Sequence, residues 1–210
     1  IIGTYRGYTI ASMGPPSSGG PLIIQMLNML ENFDVSSMER NSTQFVHMLT
    51  EIQRLAYADR AIHLGDPDFY PSPIPMLVSK EYAKKRLELV SMDKATPSSE
   101  IAAGTTIPES METTHYSAMD KFVNTVGITT TINLSYGNKK IVDGAGFLLN
   151  NEMDDFATSP GVQNAFGLIG YEANSIKPAK RPLSSMSPTI VLDPEGNSLM
   201  TVGAAGGSRI

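Results

Sequence analysis

Glu112-Thr113 is the first place in this chain where residue type and position together offer chemistry. A threonine hydroxyl is a weak nucleophile at neutral pH. If the bond before Thr113 is cut, the same residue gains a free α-amine with a pKa of roughly 8, which can take the hydroxyl proton. The pair therefore reads as a scissile bond that leaves Thr113 as both nucleophile and base. Other chemistry-bearing types are weaker when read alone. Asp154-Asp155 fits a solvated acidic loop, and Asp66 and Asp68 sit among prolines where turn chemistry explains them. The loop from Gly14 to Pro21 precedes a helical pattern but no P-loop lysine follows it, so a tight connection is the plainer reading. Three scattered histidines, His47, His63 and His115, do not make a zinc site, and the lack of cysteine excludes thiol catalysis and thiolate metal sites. No cofactor is expected.

Residues 1–112 must supply a helical scaffold. Tyr5 to Met13 reads as a strand, with Pro21 at the first position of a helix whose apolar residues Leu22, Met26, Leu27, Leu30 and Phe33 lie on one face. A second helix is expected from about Thr43 to His63, capped by Ser42 or Thr43 and stopped at Gly65. Four prolines between Gly65 and Pro75 preclude regular structure. A short capped helix runs from Ser79 to about Val90, after which Met92 to Met111 loses all periodicity, a tail of roughly twenty residues unusual inside a compact domain. Slack there lets the two new ends separate after cleavage.

Beyond Thr113 the texture turns to β. Thr114 to Met119 alternates, Val123 to Leu134 is dense enough in Val, Ile and Thr for a buried strand, and Ile141 to Leu149, Ile190 to Leu192 and Ser198 to Val202 continue the pattern. Helices followed by strands predict an α+β layered fold. Across 210 residues, 41% hydrophobic and 18% charged composition supports a real core, and a net charge of -5 offers no footprint for nucleic acid. No apolar run approaches the roughly 20 residues that span a bilayer. The absence of a starting methionine and the ending at Gly206-Gly207-Ser208-Arg209-Ile210 read as cuts through a longer protein.

Several strings in order carry a family resemblance: Tyr5-Arg6-Gly7-Tyr8, the loop Pro15-Pro16-Ser17-Ser18-Gly19-Gly20, Tyr57-Ala58-Asp59-Arg60 with Gly65-Asp66-Pro67, Thr113-Thr114-His115, Asn150 to Phe156, Arg181 to Pro188, and Gly206-Gly207. Together they make the chain resemble the γ-glutamyltranspeptidases, glutathione hydrolases of the N-terminal nucleophile superfamily. The resemblance implies a four-layer αββα fold, incomplete at both ends. It further implies a precursor cut between Glu112 and Thr113, with 1–112 ending the large subunit and 113–210 beginning the small one. Thr113 would attack a γ-glutamyl amide such as glutathione and form an acyl-enzyme that passes to water, an amino acid or a dipeptide. Gly206 and Gly207 would form the oxyanion hole. Thr131 would assist the nucleophile and Asn133 would hold the substrate's α-groups. Glu152 and Asp155 would meet the α-ammonium, and Ser184 and Ser185 part of the α-carboxylate.

Phe166 would sit on a lid loop spanning Pro160 to Asn174, where some members carry tyrosine. The resemblance also implies a periplasmic, extracellular or cell-surface location. An arginine that members use to clamp the carboxylate precedes Ile1, so the isolated segment is expected to be inactive. Two alternatives stay open: a related amidase acting on poly-γ-glutamate or a cephalosporin side chain, and a binding module that keeps the fold without cleaving itself.

Overall fold

A computed structural model describes residues 1–97, 113–164 and 168–207. Glu112 and Phe166, with most of the aperiodic tail, lie outside the described residues. Strands β1 (Ile2–Tyr5), β2 (Tyr8–Ser12), β5 (Thr189–Leu192) and β6 (Ser198–Val202) form one antiparallel sheet in the order β1-β2-β5-β6, while β3 (Thr114–Met119) and β4 (Thr125–Thr130) form a separate hairpin. The helices are α1 (Gly19–Leu30), α2 (Thr43–His63), α3 (Ile74–Leu77) and α4 (Lys80–Leu87).

Pleating decides the layers, because successive side chains point to opposite faces. Gly3, paired with Ile10, presents its Cα to Ile24 of α1, and Val191 and Met200 follow on the same face. Thr201 points the other way, where its hydroxyl would block any side chain at Gly127 of β4. Helices therefore cover one face of the larger sheet and the hairpin the other. This is an α+β arrangement of three layers among the described residues. No described helix covers the outer face of the hairpin, which exposes Tyr116, Val126 and Ile128. The Val-Ile-Thr run after Val123 thus forms a half-exposed strand instead of the buried one its composition predicts, and it ends at Thr130 instead of Leu134.

Other expectations change in detail. The strand expected from Tyr5 to Met13 is shorter, Tyr8–Ser12, and a second strand, Ile2–Tyr5, precedes it, because Arg6 and Gly7 both take positive φ, 49° and 90°, and reverse the chain. Helix α1 begins at Gly19, so Pro21 is its third residue, still within the first turn where its missing N–H costs no bond. Ile141 to Leu149 is no strand: Gly144 and Gly146 turn the chain at φ 76° and 74°, leaving one isolated bridge between Ile141 and Leu148. Helix α2 has its expected bounds, with Ser42 Oγ accepting from the Phe45 N–H at 3.2 Å. Ser79 caps α4 in the same way.

Asp66 does more than make a turn. Fully buried, it accepts from the backbone N–H of Arg181 at 2.8 Å, and its two oxygens take the guanidinium at 3.0 and 2.6 Å. That bidentate pair joins the stretch before Thr113 to the stretch after it.

Candidate active site

The loop Pro15-Pro16-Ser17-Ser18 is a cradle for Ser184, Ser185 and Met186. Ser184 N–H donates to the Pro16 carbonyl at 2.9 Å, and the Ser184 carbonyl accepts from both the N–H and the hydroxyl of Ser18 at 2.9 Å. Ser17 Oγ donates to the Met186 carbonyl at 2.6 Å. The two glycines that follow have no room for side chains: a Cβ at Gly19 would strike Ser187, and one at Gly20 would strike the Met13 carbonyl. The Pro15-Pro16 peptide is cis.

A second support is built on buried polar side chains. Asn133 is 2% exposed with φ at 73°, a left-handed conformation that asparagine tolerates better than most residues. Its N–H donates to Thr131 Oγ1 at 2.9 Å and its side-chain amide to the Asn151 carbonyl at 3.0 Å. Leu134 N–H in turn donates to Asn151 Oδ1 at 3.0 Å, so the end of β4 is stapled to the acidic segment. Asn174 closes the far side, donating to the Asp155 carbonyl at 2.7 Å and accepting from Leu183 N–H at 3.0 Å.

These supports bring the predicted residues to one cleft, open to solvent and lined by Thr113, Thr131, Asn133, Glu152, Asp155, Ser184, Ser185 and Gly207 together with Arg60, Leu168, Leu183 and Met186. Gly206 stands next to the lining and does not contribute to it. Gly206 and Gly207 have φ of 125° and 62°, so two successive residues adopt backbone that side chains disfavour. Leu168 is held at the neck of the 160–174 loop, where its N–H donates to Asn164 Oδ1 and its carbonyl accepts from Asn164 N–H, both at 3.0 Å.

The cleft is electrostatically divided. Burial pushes the Asp155 carboxyl up to about 7, the neighbouring Glu152 charge adds to the rise, and the Arg60 guanidinium opposes it. Burial also raises Glu152, whose carboxyl is hydrogen-bonded to Asp155. Two carboxyl groups, the Ser184 and Ser185 hydroxyls and the Arg60 guanidinium thus line one cleft with Thr113. Among the described residues no cluster of His, Asp and Glu has metal-binding geometry.

Arg60 is the residue that pattern reading passed over. It stands in Tyr57-Ala58-Asp59-Arg60, a string that by itself assigns it no role. The available signal was its place on α2, four residues after Ala56 and eight after Ile52, on the stripe that is buried throughout.

The family model described as Gamma-glutamyltranspeptidase matches residues 1–210. The chain is 49% identical to the glutathione hydrolase proenzyme of Escherichia coli K12 over its whole length, which is 36% of that protein. It is 40% identical to the acylase ACY 1 proenzyme of Pseudomonas sp. strain SE83, covering all of this chain and 35% of that one. It thus spans about a third of the curated relatives it matches. The crystal structure of cephalosporin acylase from Bacillus halodurans superposes on 94% of the chain and 32% of its own with a TM-score of 0.73 at 21% identity, a likeness of fold alone.

Proposed function

The chain belongs to the gamma-glutamyltranspeptidase family, and on that premise we propose that the protein containing it hydrolyses and transfers γ-glutamyl groups through a threonyl acyl-enzyme. The observation that carries the reading is the convergence on one cleft of Thr113, the Glu152 and Asp155 carboxyls and the Ser184 and Ser185 hydroxyls, brought from separate segments by dedicated supports. Cleavage before Thr113 frees its α-amine. The hydroxyl then loses its proton to that amine as it attacks the γ-carbonyl of glutathione or a similar donor. Backbone N–H groups at Gly206 and Gly207 stabilise the negative charge that exists only in the tetrahedral state. The amine returns the proton to the leaving nitrogen, and water, an amino acid or a dipeptide takes the acyl group from Thr113.

Glu152 and Asp155 select the substrate's α-ammonium, while Ser184 and Ser185 receive its α-carboxylate. Paired opposite charges in a partly buried cleft hold the γ-carbonyl at the nucleophile, which is catalysis by orientation. A location in the periplasm, at the cell surface or outside the cell belongs to the same reading and rests on family resemblance.

Turnover of a γ-glutamyl anilide compared with a glutaryl anilide, which lacks the α-amine, tests the substrate class in the full-length protein. Preference for the γ-glutamyl compound is expected. Preference for glutaryl would favour an acylase, the second reading, which draws on the 40% identity to an acylase proenzyme. Intact mass tests cleavage: separate pieces ending at Glu112 and beginning at Thr113 are expected, and a persistent single chain would favour a non-cleaving binding module.

A further inference from the structure

Arg60 is 4% exposed, yet the ion pairs among the described residues do not include it. A buried charge with no ion-pair contact is costly, and hydrogen bonds to neutral hydroxyls repay that only in part, which leaves the cation able to serve another anion. Its hydrogen bonds go to two hydroxyls: Nε donates to Ser18 Oγ at 3.0 Å and Nη2 to Ser185 Oγ at 3.2 Å. The Asp155 carboxyl acts on it electrostatically but does not pair with it.

A hydroxyl has one hydrogen to give and two lone pairs to receive with. Ser18 spends its hydrogen on the Ser184 carbonyl and a lone pair on Arg60, which ties the guanidinium to the backbone at Ser184. Ser185 is different. Arg60 occupies a lone pair of its oxygen, and its own hydrogen has no protein acceptor among the described residues. That hydrogen is left to point into the cleft that Ser184, Ser185 and Arg60 line together.

We propose that Arg60 is a positioning residue for recognition of the substrate's α-carboxylate. It fixes Ser185 as a donor, polarises that hydroxyl, and supplies positive potential behind the serine pair. The inference rests on the γ-glutamyl reading of this cleft. A merely structural Arg60, bracing the loop at Ser18 against Ser184, would affect every substrate alike.

The test uses the full-length protein and three anilides: γ-glutamyl, 4-aminobutyryl, which keeps the chain and amine but lacks the α-carboxylate, and glutaryl, which lacks the α-amine. Arg60→Gln is expected to lower kcat/KM for the γ-glutamyl compound about 30-fold, mostly through KM, as for loss of a hydrogen bond to a charged group. The 4-aminobutyryl compound should lose less than about threefold, because it has no carboxylate for the serine pair to bind. Arg60→Lys should recover part of the loss, and Ser185→Ala should cost little more when added to Arg60→Gln. Equal losses on all three anilides, or fully additive losses with Ser185→Ala, would overturn the proposal.

If Arg60→Gln does not accumulate folded, Ser18→Ala decides: it keeps the cation and loosens it, so a smaller split in the same direction is expected, and equal losses again overturn the idea. A wild type that ignores γ-glutamyl anilide sinks the γ-glutamyl reading and this inference with it. A wild type that turns it over while the Arg60 variants show no split sinks the inference alone.

Discussion

The stretch before Thr113 and the stretch that begins there are held by different forces. Among the described residues, ten of the eleven in the buried apolar cluster, from Leu22 to Ala83, precede Thr113, and Leu183 alone comes from the later stretch. The later stretch leaves Tyr116 at 54%, Phe122 at 72% and Phe147 at 57% exposure. It is attached instead by strand pairing of β5 on β2, by the Ser17 and Ser18 contacts to Ser184 and Met186, and by Asp66 with Arg181. Apolar burial is strong and non-directional, whereas hydrogen bonds are weaker net and fix angles. One region therefore supplies stability and the other placement, and the cleft lies where they meet.

The sharpest way to separate the two is Thr113→Ala. Loss of the nucleophile should abolish chain cleavage and lower anilide turnover by about 10⁴-fold, while the unfolding midpoint stays within about 2 °C because no core contact is removed. A large fall in the midpoint would break the division. Leu55→Ala is the converse: it should cost about 2–5 kcal/mol in urea unfolding, since Leu55 is fully buried, and leave the ratio of γ-glutamyl to glutaryl turnover unchanged in the fraction that remains folded.

Asp66→Asn attacks the join itself. Its expected cost of about 1–3 kcal/mol should appear as easier separation of the two cleaved pieces, read by size exclusion under mild urea. The acid response follows from the sign of its shift. Hydrogen bonds from Arg181 hold the Asp66 carboxyl well below its ordinary value of 3.8, so the stabilisation is complete above that value and is lost as pH falls below it. The wild-type pieces should therefore separate in acid, and the Asn variant should be less sensitive there.

The same contrast explains what could be read in advance. Helix α2 was legible to the residue because Ser42, the apolar spacing and Gly65 agree. The cleft residues were legible only through ordered strings, since Asp154-Asp155 by itself looks like any solvated loop. Ile141 to Leu149 misled because its apolar content is that of a strand, while Gly144 and Gly146 impose the turn. Arg60 was hidden for another reason. On α2 the buried stripe is read by counting apolar residues, and a charged residue on it registers as an interruption although its partners, Ser18 and Ser185, lie 42 and 125 residues away in sequence.

The smallest effect, and the one that resolves charge inside the cleft, concerns Asp155. An α-ammonium needs an ionised partner, and burial with the Glu152 charge lifts the Asp155 carboxyl to about 7. As pH falls below that value, kcat/KM for γ-glutamyl anilide should drop by up to about tenfold per unit. The Thr113 amine titrates too, but it serves every substrate, so dividing by glutaryl anilide turnover removes its contribution. That ratio should bend near pH 7 in the wild type and lose the bend in Asp155→Asn. Arg60→Gln should move it to higher pH, because Arg60 opposes the rise. Stability runs with the opposite sense to Asp66: a raised carboxyl contributes fully below 3.8 and its contribution is lost as pH climbs through 7. Asp155→Asn should thus gain stability relative to the wild type as pH rises from 3.8 to about 7 and hold that gain above it. A γ-glutamyl ratio that is flat from pH 5 to 9 would show that the acidic pair does not select the ammonium, and that the cleft's polar wall places a different group from the one its charges fit.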